Sequence, residues 1–85
     1  MPEISRFYGI VITVNYNEHL PPHFHARYAG ERVALTVDGR VISGHLPPRA
    51  LGLVRTWAAA HANELLLDWE LARAGQPLVS IDPLD

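Results

Sequence analysis

Apolar and polar positions alternate with a period of two through the first half of the chain and with a period near 3.6 through the second. Over residues 4–16, Tyr8, Ile10, Ile12, Val14 and Tyr16 share one side of an extended chain. Phe7, Gly9, Val11, Thr13 and Asn15 share the other, less apolar side. This predicts one long first strand, with its β-branched centre suited to a pleated surface and Gly9 marking a bulge or close approach. A loop with two adjacent prolines follows, Asn17 to Pro22. A second strand is expected from His23 to Tyr28, a turn at Ala29-Gly30-Glu31, and a third strand from Arg32 to Val37. Asp38-Gly39 is the strongest hairpin signal in the chain and leads into a fourth strand, Arg40 to Leu46.

Pro47-Pro48 ends the sheet and suits the first turn of a helix. Ala50, Leu53, Val54, Trp57, Ala58 and His61 then recur at helical spacing. Asn63 is the expected N-cap of a second helix carrying Leu65, Leu66, Leu67, Trp69, Leu71 and Ala72, stopped by Gly75 and Pro77. That helix is apolar around much of its circumference, so more than one neighbour is expected to contact it. Glu64 and Asp68 are like charges one turn apart and read as solvated. Leu78 to Leu84 is extended. The fold class is therefore α+β: a four-stranded antiparallel meander followed by two helices packed on one face, with a short C-terminal edge strand. Trp57 and Trp69 are expected in the core. So are Tyr8 and Tyr16, with their rings packed.

At 85 residues the chain is expected to be a single domain, and its 48% hydrophobic content argues against disorder. No apolar run is long enough to cross a bilayer, and Met1-Pro2-Glu3 lacks the form of a signal peptide, so the expected location is cytoplasmic, with no membrane partner. The absence of cysteine removes disulfides and thiolate ligands. All seven basic residues are arginine, which excludes Schiff-base chemistry on a lysine. The net charge of −2 does not indicate a nucleic-acid binder. No P-loop, dinucleotide fingerprint, nucleophile elbow or H-E-x-x-H is present.

Candidate chemistry gathers in one stretch, Asn15 to Tyr28, which holds three of the five histidines. On the second strand His23, His25 and Arg27 share one face, expected to be exposed, while Phe24, Ala26 and Tyr28 turn inward. Two imidazoles about 6.6 Å apart along a strand can chelate one metal. Zinc needs a third ligand, which His19, Glu18 or His45 can supply. His19, His23 and His25 are thus the candidate metal ligands, with zinc or nickel as the ion. His19, His23, His25 and Arg27 are also the candidate catalytic set of a ribonuclease-like site, with histidine as acid and base and arginine holding a charged phosphorane. The polar face with Thr13, Asn15, His23, His25, Arg27, Arg32 and Thr36 is expected to lie open to water or to a partner.

The segments Ile4-Ser5-Arg6-Phe7-Tyr8-Gly9-Ile10, Tyr16-Asn17-Glu18-His19, Pro21-Pro22-His23-Phe24-His25-Ala26, Gly44-His45-Leu46-Pro47, Trp69-Glu70-Leu71-Ala72 and Ile81-Asp82-Pro83-Leu84, with Trp57 and Leu65, resemble domain-of-unknown-function family 4160. These are small bacterial proteins. Their genes often sit beside one for a second small protein, and the pair is commonly classed as toxin–antitoxin-like. The resemblance implies a small protein partner encoded nearby and a candidate toxin role. It implies no catalytic residues. Two functions of different class follow: an interaction module of such a pair using the His/Arg-bearing sheet face, or a small His-dependent or metal-dependent nuclease acting as the toxin.

Overall fold

The computed structural model describes residues 2–85. Its elements run β1 Glu3–Phe7, β2 Ile10–Thr13, β3 His23–Tyr28, β4 Glu31–Thr36, β5 Val41–Gly44, α1 Pro48–Ala60 and α2 Ala62–Arg73. The strands pair antiparallel in chain order, β1-β2-β3-β4-β5. The α+β class and the meander are as expected, but the sheet has five strands rather than four.

The extra strand comes from Tyr8-Gly9, where the expected long strand folds back on itself. Both residues have positive φ, 50° and 79°. Positive φ at both central residues is the signature of a tight hairpin turn whose twist matches the flanking strands. Phe7 then pairs across to Ile10 and shares its buried face, instead of lying on the polar side. Tyr8, expected in the core, sits at the turn tip and is 60% exposed. Tyr16 is likewise at the surface, where its hydroxyl donates to the Gln76 carbonyl at 3.0 Å. The Asp38-Gly39 hairpin forms as expected and is closed by Thr36 N–H to Arg40 O at 2.8 Å. At its far end Gly44 has φ +81°, and a Cβ there would collide with the Arg32 carbonyl.

The core lies between one sheet face and the helices. Phe7, Ile10, Ile12, Phe24, Ala26, Val33 and Leu35 from the sheet meet Ala50, Val54, Trp57 and Ala58 of α1 and Leu65 and Ala72 of α2. Trp57 is at its centre, with ring centroids 5.5 Å from Phe7 and 6.0 Å from Phe24. Pro48 opens α1, as its fixed φ and missing N–H allow. The second helix starts at Ala62, not after an Asn63 cap. His61 alone separates the helices, ending α1 through its N–H to Trp57 O and opening α2 through its carbonyl to Leu65 N.

The tail after α2 forms no strand among the described residues, contrary to expectation. It runs as a strap, fixed by single bonds to several elements. Ile81 N–H donates to Ile4 O at 2.8 Å, and Trp57 Nε1 donates to Asp82 O at 2.8 Å. Val79 N–H donates to Asp68 Oδ1 at 2.8 Å. The strap corrects the reading of Asp68 as solvated: its side chain is fully buried. Burial pushes its carboxyl above the ordinary value; the Val79 N–H opposes this and Glu64 adds to it. Of the apolar positions on α2, Leu66 and Leu67 remain exposed.

Candidate functional site

The site forms where the loop before β3 folds back over the first residues of that strand. Asn15 and Glu18 come from the loop, His23 and His25 from the strand. The two-residue period of β3 puts both imidazoles on the side opposite Phe24 and Ala26, which are buried. The rings stand edge to face with centroids 5.3 Å apart. Glu18 Oε1 lies 3.0 Å from His25 Nε2 and 3.7 Å from His23 Nε2. Glu18, His23 and His25 each offer one ligand atom, and these atoms lie within 4.8 Å of one another.

A second set of contacts holds this group. Asn15 Nδ2 donates to Glu18 Oε1 at 3.0 Å. The Asn15 amide, and then the His25 and His23 imidazoles, hold the Glu18 carboxyl below its ordinary value against the effect of partial burial. His23 Nδ1 lies 2.8 Å from the Pro21 carbonyl. A carbonyl can only accept, so Nδ1 carries the hydrogen, and in the neutral ring the lone pair is then on Nε2. Trp69 of α2 backs the His23 ring at a centroid distance of 5.1 Å.

The histidines are not as exposed as the strand period implied. Side-chain exposure is 11% for His23 and 28% for His25. The cause is α2, whose Trp69 reaches the start of β3, together with the Glu18 loop. Thr13 and Thr36 on the same face are also buried. His19 is exposed and lies outside the cluster, next in sequence to the carboxylate that takes the third place. His45 faces Glu31 at 3.6 Å instead. His61 stacks on Trp57 and contacts Glu64. Asn15 was expected on this polar face but not as the partner of Glu18, and Trp69 had no place in the expected site. The N-x-x-E spacing of Asn15 and Glu18 ahead of the prolines was the available signal for the first, and nothing local pointed to the second.

Beyond the histidines the same face bears a row of arginines. Arg6 pairs with Val11, Val11 with Arg27, and Arg27 with Arg32. Arg6 is bound by Glu3 through two hydrogen bonds at 2.8 and 3.0 Å. The Arg6 hydrogen bond holds the Glu3 carboxyl low, with Arg27 a small further contribution. Neither Arg27 nor Arg32 has an ion-pair partner among the described residues. A cleft of about 230 Å³ opens beside them, with Thr13, Asn15, His25 and Ser43 on its walls. That is smaller than the roughly 300–1,000 Å³ of sites for drug-sized ligands. It has room for a side chain or two.

The architecture is thus an antiparallel meander with one face closed by helices and the other bearing a Glu/His/His group beside an arginine-lined cleft. The family described as Domain of unknown function (DUF4160) matches over residues 9–70, and the chain belongs to it. The match spans the Pro-Pro-His-Phe-His segment and runs through Trp69. No curated protein and no solved structure matches the chain. No helix among the described residues is long and apolar enough to cross a membrane.

Proposed function

We propose that the protein is a cytoplasmic interaction module, one half of a toxin–antitoxin-like pair of small proteins, and that its His/Arg-bearing sheet face takes an acidic segment of the other half. The observation that carries this reading is the Arg27–Arg32 pair. The two arginines are direct cross-strand partners on β3 and β4, and neither forms an ion pair among the described residues. Like charges in that position destabilise a sheet unless an anion offsets them. Arginine forks bind carboxylates in bidentate fashion, and the small cleft suits a carboxylate side chain better than a nucleotide. The test is titration calorimetry of the full chain against the protein encoded by the adjacent gene. Arg27→Ala with Arg32→Ala is expected to weaken binding more than tenfold without lowering the melting temperature of the free chain, and wild-type binding is expected to fall as salt rises. Equal affinity for the double variant would overturn the reading.

The alternative, a small metal-dependent nuclease toxin, draws support from the convergence of Glu18, His23 and His25. Turnover of RNA by the purified chain, abolished in His25→Ala, would replace the first reading with this one.

A further inference from the structure

We infer that Glu18, His23 and His25 form a binding site for one divalent transition-metal ion, zinc-like in preference. The inference does not rest on the partner reading, which concerns Arg27 and Arg32.

Three observations carry it. The first is distance. Zinc bonds to imidazole nitrogen and carboxylate oxygen of about 2.0–2.2 Å put tetrahedral ligands ~3.3 Å apart. Glu18 Oε1 stands 3.0 Å from one Nε2 and 3.7 Å from the other, on either side of that value. All three ligand atoms lie within 4.8 Å of one another, so side-chain shifts of up to about 1.5 Å close the group on an ion.

The second is support around the ligands. Metal-binding histidines almost always donate their other N–H to a carbonyl or carboxylate, which fixes the ring and frees the ligating nitrogen. His23 does this through Nδ1 to Pro21 O at 2.8 Å, with Trp69 behind its ring. Glu18 is oriented by the Asn15 amide at 3.0 Å. A chance meeting of a carboxylate with two histidines on a solvated surface would not come with both of these supports.

The third is the ligand set. Two imidazoles and one carboxylate, with no sulfur, favour zinc, nickel, cobalt or ferrous iron over magnesium or calcium, which take oxygen ligands. Three protein ligands leave at least one coordination position for water or another group, as in catalytic rather than closed structural zinc sites. His25 and Asn15 also line the arginine cleft, so the ion would border it. Metal binding would replace the hydrogen bond between His25 Nε2 and Glu18 Oε1, and any hydrogen on that nitrogen would leave to solvent.

The test is titration calorimetry of the chelator-stripped full chain with zinc chloride, nickel chloride and magnesium chloride. Zinc and nickel are expected to bind one ion per chain, at least 100-fold tighter than magnesium. His25→Ala and Glu18→Gln should each weaken zinc by about 100-fold, and Asn15→Ala by about tenfold, as outer supports do. His19→Ala should leave affinity unchanged. His23→Ala is replaced by His23→Gln for this purpose, because the His23 ring also packs on Trp69. Circular dichroism confirms that each variant is folded. Absence of saturable zinc binding to the folded wild type would overturn the site, and so would a loss in His19→Ala equal to that in His25→Ala. Arg27→Ala with Arg32→Ala should keep zinc affinity, so failure here and failure of the partner reading are read separately.

Discussion

The two tryptophans are buried to the same degree and are held in opposite ways. Trp57 lies among Phe7, Phe24 and other apolar side chains with His61 at one side, and its indole N–H donates to Asp82 O. Trp69 lies against His23, and its N–H is buried with no partner among the described residues. One ring closes a core and ties down the chain's last segment. The other forms the back wall of a polar cluster and leaves a polar atom unsatisfied. Buried polar groups normally find partners, and the exceptions gather where a fold serves something besides its own stability. Burial alone would have classed the two rings together.

The largest effect expected to sharpen this contrast is on folding. Trp57→Ala should cost about 3–5 kcal/mol in chemical denaturation, which approaches the whole stability of a small domain. The conservative variants separate the two sites. Trp57→Phe leaves Asp82 O without its donor, whereas Trp69→Phe removes no hydrogen bond. Trp57→Phe should therefore be the more costly by about 1–2 kcal/mol. Equal losses would mean that the Asp82 bond contributes nothing and that the contrast fails.

A smaller effect separates the two histidines. The strand period alone makes replacement of both nearly silent. The contact with Trp69 makes them unequal. His23→Ala opens a gap behind the site and should cost about 1–2 kcal/mol, while His25→Ala should stay within about 0.5 kcal/mol. The check is urea melting of each single variant in the absence of metal. A silent His23→Ala would show that Trp69 does not depend on the ring beside it.

The smallest effect is a slope with pH. Asp68 has a folded-state carboxyl raised above its ordinary value. The unfolded chain therefore releases that proton at lower pH than the folded chain. Stability contributed by the protonated form is lost as pH rises from the ordinary Asp range through the raised value. Asp68→Asn keeps an acceptor for Val79 N–H and cannot ionise. Its melting temperature relative to wild type should climb as pH rises from the ordinary Asp value of about 4 through the raised folded value, and then level off. A flat difference would place the Asp68 carboxyl in water.

The parts of the fold that were legible from sequence are those set by local chemistry. Asp38-Gly39 satisfies the backbone of a hairpin by itself, and the Ala50–Val54–Trp57–Ala58 spacing defines a helix face without reference to anything else. The inward turn of Phe24 and Ala26 follows from the pleat. What was not legible depends on distant chain. Tyr8-Gly9 lacks the Asn or Asp that normally marks such a turn, so the alternation read straight through it. Asp68 looked solvated beside Glu64, because its burial comes from a strap eleven residues on. Two of the three clustered side chains follow from the strand period. The third is Glu18 rather than its neighbour His19, and only the path of the loop decides between them.

The strap has one more consequence. At Ile4 it occupies the outer edge of β1, and β5 is left as the sheet's other margin. Strand-by-strand growth of an aggregate needs two receptive margins per molecule, one to accept a neighbour and one to offer the next. With the strap across one of them at Ile4, pairing between copies is steered to β5, and growth beyond two molecules is disfavoured. A chain that exposes Val41 and Ile42 on its free margin thereby carries, in its strap, a bias against polymerising through its sheet.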